Sequence, residues 1–165
     1  MVLLKKRVPG ADETSLARFV RRSAGAAELL GTVNVLITNN REMRSLNRRF
    51  RGKDTATDVL SFPAAPGLPG RLAGDLAISA DIAGRNARQF GHPVADEIKI
   101  LILHGVLHLA GYDHENDGGR MARKEARLRK ALRLPTGLIS RTLISSTIAY
   151  PGTGARTPSA RRRKP

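Results

Sequence analysis

Apolar residues recur along this chain at two spacings, which separate predicted helices from predicted strands. Side chains three or four positions apart share one face of a helix, whereas alternate side chains share one face of a strand. The helical spacing predicts helices over 13–24, 39–50, 79–91, 94–110 and 117–134. β-Branched or alternating runs predict strands over 1–8, 32–38, 58–62 and 72–79.

Capping and turn residues support these boundaries. Asn39 and Ser79 are suited to cap helices, and Gly91 is suited to end one. A loop rich in Pro and Gly fills 63–71. The order of elements therefore predicts one α/β domain (α+β-like), with a small four-stranded sheet covered by about five helices.

The last thirty residues lack this periodicity. We expect a domain over 1–135, followed by a basic, disordered extension over 136–165. A further strand within 138–150 is the alternative for part of that extension.

Composition restricts the functional classes. The chain has 165 residues and a formal net charge of +15, and its last fifteen residues hold only five of the basic side chains. A positive field of this size favours polyanions such as RNA or DNA, although a basic proteome background is the alternative. The chain has no Cys, which excludes disulfide partners and thiolate metal sites. It also has neither a secretory-length apolar segment nor a run of about 18 apolar residues. We expect a cytoplasmic protein without a membrane span.

Three of the four histidines fall within residues 104–114, in the stretch HGVLHLAGYDH. Residues four apart stack on one helix face, so His104 and His108 point the same way. Gly111 is suited to a left-handed turn that brings His114 back to them. Gly105 removes bulk beside these rings. The spacing predicts that one Zn²⁺, or Ni²⁺ or another divalent ion, binds to three imidazoles at a helix C-terminus.

The same spacing occurs in metzincin proteases, but Gly105 stands where those enzymes have their general base Glu. This substitution argues against peptide hydrolysis. A zinc site with an open position lowers the pKa of bound water to about 7 and polarises phosphoryl oxygens. Together with the positive net charge of the chain, such a zinc site indicates phosphodiester cleavage. Asp113 and Glu115 flank the third histidine and are candidates to orient a ligand or water, or are ordinary solvated carboxylates.

A second conspicuous stretch, LNRRFRGKDTATDVLSFP, covers residues 46–63. Arg48, Arg49, Arg51 and Lys53 form a dense cationic group within it. An arginine near a metal can bind a phosphate through two parallel hydrogen bonds. A solvated basic face is the alternative interpretation.

These two stretches, with GDLAIS between them, resemble the YbeY family of bacterial endoribonucleases, the rRNA maturation factors. The resemblance runs from about residue 32 to 132 and matches the family's histidine motif at every defined position. It implies a small mixed sheet with several helices. It also implies a zinc-dependent endoribonuclease specific for single-stranded RNA, which matures the 3′ end of small-subunit rRNA and takes part in ribosome quality control.

The resemblance assigns roles to individual residues. His104, His108 and His114 correspond to the metal ligands, and Arg51 to the functional arginine. Asp75, in the GDLAIS stretch, is expected in the wall of the site. The residues themselves add Asp113 as a second wall candidate and Arg48, Arg49 and Lys53 as candidates to bind RNA. The expected partners are an rRNA precursor and the ribosome.

Two other functions remain open from the sequence. One is a zinc hydrolase that acts on a peptide or small molecule. The other is a ribosome-binding protein without catalysis, whose structural zinc would take Asp113 or Glu115 as a fourth ligand.

Overall fold

The computed structural model describes residues 1–65, 72–113 and 117–135, together with the backbone of 146–147. The strands within them are β1 (Val2–Leu4), β2 (Thr32–Thr38), β3 (Val59–Pro63), β4 (Leu72–Ser79) and β5 (Ser146–Thr147). The helices within them are α1 (Glu13–Ala26), α2 (Asn40–Arg51), α3 (Ala80–Phe90), α4 (Val94–Leu109) and α5 (Arg120–Ala131).

The strands form one mixed sheet in the order β1-β2-β4-β3-β5. The first three in that order are mutually parallel, and β3 runs antiparallel to β4. The predicted α/β domain with a small mixed sheet and about five helices is confirmed. The two-residue strand β5 adds to the four predicted strands and lies in the segment 138–150, while the rest of the predicted extension lies outside the described residues.

Alternation along the strands gives the sheet two different faces. Ile37 and Leu76 lie on the face that packs against α1 and α4, in the main core. Leu60 and Ala77 lie on the opposite face, where they pack against Met43 of α2. The sheet thus separates α2 from α4.

Helix α4 is the centre of the main core. Residues 100–108 are all buried, because apolar side chains occupy nearly every position and leave no polar face there. A Cβ at Gly105 would lie 2.7 Å from the Leu76 Cδ2 atom and 3.3 Å from the Ser61 hydroxyl. The expectation that Gly105 makes room beside the metal is therefore wrong, because this glycine allows α4 to approach the sheet.

The predicted helix boundaries have clear local causes. Asn39 and Ser79 cap α2 and α3 by accepting hydrogen bonds from the backbone N–H groups three residues later. Gly91 takes the left-handed conformation that ends α3, with φ of 69°. These three predictions are confirmed.

Over the described ranges, none of the helices combines the length and the apolar character that crossing a bilayer requires.

The contact between β3, β4 and the end of α4 depends on Gly74. A Cβ there would lie 2.5 Å from the Phe62 carbonyl oxygen and 2.7 Å from the Leu109 Cδ2 atom. We expect Gly74→Ala to lower the free energy of unfolding by about 1–3 kcal/mol, as overpacking does. Gly25→Ala is the matched control, because its Cβ would meet nothing within 4 Å and alanine favours a helix. Urea unfolding measures both, and equal stability of the two variants would contradict this packing.

Candidate metal centre

Two histidine side chains lie on one face of α4, near its C-terminal end. His104 and His108 are each only 4% exposed, and their ring centroids are 4.8 Å apart. Their Nε2 atoms face each other at 3.1 Å. The predicted alignment of these two imidazoles is therefore present in the structure.

A tight turn follows this histidine pair. Gly111 adopts a φ of +87°, and its N–H donates to the His108 carbonyl at 3.0 Å. The Tyr112 N–H donates to the Leu107 carbonyl at 3.1 Å. This bonding pattern is a Schellman motif, in which a left-handed residue ends the helix and turns the chain. The predicted left-handed turn at Gly111 is confirmed.

A carboxylate from α5 contacts the other ring nitrogen of His104. The Glu125 Oε2 atom lies 2.9 Å from His104 Nδ1, and the Arg129 guanidinium donates to Oε1 of the same carboxylate. A carboxylate accepts hydrogen bonds, so Nδ1 carries the proton and Nε2 keeps a lone pair facing His108. Burial would raise the pKa of Glu125, but the hydrogen bond from His104, together with Arg129, holds this pKa below its ordinary value.

The histidine pair fits a metal ion. Two ligand nitrogens at about 2.0–2.1 Å from a tetrahedral Zn²⁺ would be about 3.3 Å apart, close to the observed 3.1 Å between the Nε2 atoms. His114, the third predicted ligand, lies outside the described residues, as does Glu115. Residues 1–65, 72–113 and 117–135 contain no group of three or more His, Asp or Glu side chains that could hold a metal. The three-ligand site therefore stays a prediction.

Arg51 is the last residue of α2, on the opposite side of the sheet from α4. The preceding ring, Phe50, packs edge-on against Phe62 near the end of β3, with centroids 5.1 Å apart. Arg51 is half-buried. It therefore differs from a fully solvated surface arginine.

The end of α4 approaches the same end of the sheet from the other face. Leu109, which follows His108, lies against Gly74, and Gly74 pairs with Pro63, the last residue of β3. The C-terminal ends of α2 and α4 thus flank the same end of the β3–β4 pair. The segments that carry Arg51 and His108 therefore approach the same end of these two strands from opposite faces of the sheet.

The other predicted cations lie at the C-terminal end of α2 or just after it, beside an exposed aromatic residue in the sequence. Arg48, Arg49 and Lys53 are all exposed, and the Phe50 side chain is 45% exposed. The Arg49 guanidinium carbon lies 5.2 Å from the centroid of the Phe50 ring, within the range of a cation–π contact. The cations and the ring form one surface, named here the α2 basic surface.

The two predicted wall residues lie in different places. Asp75 pairs with Phe62 in the β3–β4 ladder, and its Oδ1 atom accepts a 2.9 Å hydrogen bond from the Asn34 side chain. It is half-buried at the sheet end that α2 and α4 flank. Asp113 is exposed immediately after Tyr112.

A pocket of about 590 Å³ lies beside the end of α4. Residues after α1 form one side, and the turn after His108 forms the other. Its lining includes Leu29, Leu30, Tyr112, Asp117 and Arg120. Sequence periodicity could not reveal this pocket, since its two sides are distant along the chain.

Glu125 was also missed from the sequence. The only signal was that Glu125 is the sole acidic residue in α5, among six basic ones. Nothing local relates it to a histidine 21 positions earlier, because the contact depends on how α5 packs against α4.

The family model described as Endoribonuclease YbeY matches residues 11–133. A curated protein of that name from Koribacter versatilis is 55% identical over 142 residues, which cover 86% of this chain and 91% of the relative. Another, from Solibacter usitatus, is 55% identical over 128 residues, which cover 77% and 84%. The solution structure of a Thermotoga maritima protein matches with a TM-score of 0.51 and 27% identity, over 81% of this chain and 92% of the other. This chain belongs to the YbeY endoribonuclease family.

Proposed function

We propose that this protein is a metal-dependent endoribonuclease that cuts single-stranded RNA during rRNA maturation. One observation carries the proposal: two buried imidazoles direct their Nε2 atoms toward each other at 3.1 Å. Without an ion, these two nitrogens can share one hydrogen bond, and a tetrahedral divalent ion would bind both at nearly the same separation. Membership of an endoribonuclease family supports the assignment of RNA as the substrate.

His104, His108 and His114 hold the ion in this proposal, with one Zn²⁺ per chain and Ni²⁺ as another ion suited to imidazole. When bound at an open site, such an ion polarises phosphoryl oxygens and makes a coordinated water more acidic. The α4 helix fixes the first two rings, and His114 follows the left-handed turn at Gly111 by three residues. His104 keeps its Nε2 lone pair available because its Nδ1 proton faces Glu125.

Arg51 is the proposed catalytic residue. Its guanidinium binds two oxygens of the scissile phosphate and neutralises charge that develops on them. The half-buried position of Arg51 supports this role, because partial burial reduces solvent screening of its charge. Asp75 and Asp113 form part of the wall around the reacting phosphate.

The α2 basic surface is the proposed binding surface for the RNA chain. Arg48, Arg49 and Lys53 bind phosphates, which confers affinity without sequence selection. The exposed Phe50 ring offers a face on which a base can stack. Because bases in a duplex already stack on one another, this contact favours single strands.

In the cell, we propose that the substrate is an rRNA precursor and that the enzyme meets it on the ribosome, in the cytoplasm. The proposed reaction matures the 3′ end of small-subunit rRNA and takes part in ribosome quality control. The catalytic domain covers residues 1–135, and the basic segment 136–165 follows it, with Ser146–Thr147 paired to β3.

The metal requirement is tested by removing either the ion or a ligand. We expect a chelator to abolish cleavage of a labelled single-stranded RNA and added Zn²⁺ to restore it, because the imidazoles alone cannot polarise the phosphate. His108→Ala should remain inactive even with added Zn²⁺. Cleavage that resists chelation, or full activity of folded His108→Ala, would contradict the proposal. Activity on peptides or esters instead of RNA would favour the alternative hydrolase.

The role of Arg51 is tested by two substitutions on the same helix. Arg51→Ala should lower kcat by about 10²–10³-fold, as expected when a group that stabilises the transition state is lost. Arg51→Lys should recover only part of the rate, since an ammonium cannot make the paired hydrogen bonds. Arg41, an exposed arginine in the first turn of α2, supplies the control Arg41→Ala, which should retain the wild-type rate. Equal rates for Arg51→Ala and Arg41→Ala would remove Arg51 from the mechanism.

The α2 basic surface is tested by the salt dependence of RNA binding. Replacing Arg48, Arg49 and Lys53 with alanine should weaken RNA binding. The slope of log K for binding against log salt concentration should become less steep by about 2, since each phosphate contact contributes about 0.7 to this slope for single strands. The matched control replaces three exposed α1 cations, Arg18, Arg21 and Arg22, and changes net charge equally. Identical salt slopes for both triple variants would show that only net charge matters.

A further inference from the structure

An ion pair on α5 lies behind the histidine pair. The Glu125 and Arg129 side chains are only 12% and 11% exposed, and they are four residues apart on the helix. Glu125 offers one carboxylate oxygen to His104 Nδ1 at 2.9 Å, while Arg129 donates to the other oxygen. Each carboxylate oxygen therefore has a distinct partner.

Attachment of α5 to the core does not explain this arrangement. Met121 and Leu128 already anchor α5 in the main core, where they are 1% and 6% exposed. Burying a carboxylate and a guanidinium costs free energy that an apolar pair would avoid. Packing alone therefore does not account for the charged pair. The contact that distinguishes it from an apolar pair is the one from Glu125 to His104.

The contact restricts His104 in two ways. A carboxylate facing Nδ1 favours the tautomer with its proton on Nδ1, so the lone pair remains on Nε2. The hydrogen bond also restrains rotation of the ring. Because Arg129 holds Oε1, the carboxylate itself keeps one orientation, and Oε2 remains directed at His104.

We propose that Glu125 and Arg129 are positioning residues that hold His104 in the tautomer and orientation needed to bind the metal. Glu125 acts directly on His104, and Arg129 acts through Glu125. With His108 on the next turn of the same helix, α4 presents two aligned nitrogens before the segment after Gly111 contributes a third ligand. This inference rests on the metal site of the proposed function and adds the residues that tune its affinity.

Metal affinity of the full-length protein, measured by competition with a chromophoric chelator, tests the inference without relying on RNA cleavage. Glu125→Ala should weaken Zn²⁺ binding by about 10–100-fold, the usual effect of losing a hydrogen-bond partner of a ligand. Glu125→Gln retains an oxygen acceptor and should lose less affinity than Glu125→Ala. The visible spectrum of bound Co²⁺ should change in Glu125→Ala, because His104 is no longer held in place. A protein with only a structural ion pair would show neither change.

Arg129→Met tests whether Arg129 acts through Glu125. It should weaken Zn²⁺ binding in the wild-type background but cause no further loss when added to Glu125→Ala. The matched controls are Glu28→Gln and Lys124→Met, which break the ion pair between Lys124 of α5 and Glu28 without touching His104. Both should bind Zn²⁺ with wild-type affinity. If the losses of Zn²⁺ affinity from Arg129→Met and Glu125→Ala were additive, Arg129 would not act through Glu125.

The possible failures are distinguishable. Wild-type Zn²⁺ affinity in folded Glu125→Ala or Glu125→Gln would overturn the positioning role, whatever the RNA assay shows. Wild-type protein that binds Zn²⁺ but cannot cut RNA would overturn the proposed function and leave the positioning role standing. If Glu125→Ala fails to fold, Glu125→Gln and Arg129→Met still test the inference, with circular dichroism of the metal-free variants as the check on folding.

Discussion

The placement of two imidazoles on consecutive turns of a buried helix constrains everything around the candidate site. His104 and His108 lie in the only helix that is apolar on nearly every side over nine consecutive residues within the described ranges. Polar rings in such surroundings need partners for both nitrogens. Glu125 satisfies one nitrogen of His104, and the facing Nε2 atoms contact each other, where the proposed ion would bind both.

The fold supplies this helix with a fixed position and the site with two sides. Gly105 and Gly74 lack side chains where α4 meets β3 and β4, so α4 packs closely against these two strands and its C-terminal end lies at one end of them. The C-terminal end of α2 lies at the same end of the strands on the other face of the sheet, because Phe50 packs against Phe62. A cationic surface and a histidine pair thus share one end of the sheet although different layers carry them. The proposed function places the RNA chain across this end of the sheet.

Much of this arrangement could be predicted from local patterns. The helices, the strands, the caps at Asn39 and Ser79 and the turn at Gly111 follow from periodicity and backbone preference, which act over a few residues. The contact between His104 and Glu125 could not be predicted, because it depends on how α5 packs. The purpose of Gly105 was misjudged for a related reason: its neighbours, Leu76 and Ser61, come from other parts of the chain. Local chemistry indicated the candidate ligands, and tertiary packing determined which side chains contact them.

The central claim is that these histidines bind one divalent ion. Elemental analysis after purification without chelators, incubation with Zn²⁺ and desalting tests it most directly. One ion per chain is expected, and it should be lost when His104 and His108 are both replaced by alanine in a folded protein. A wild-type chain that retains no transition metal, or a double variant that retains as much as the wild type, would contradict it.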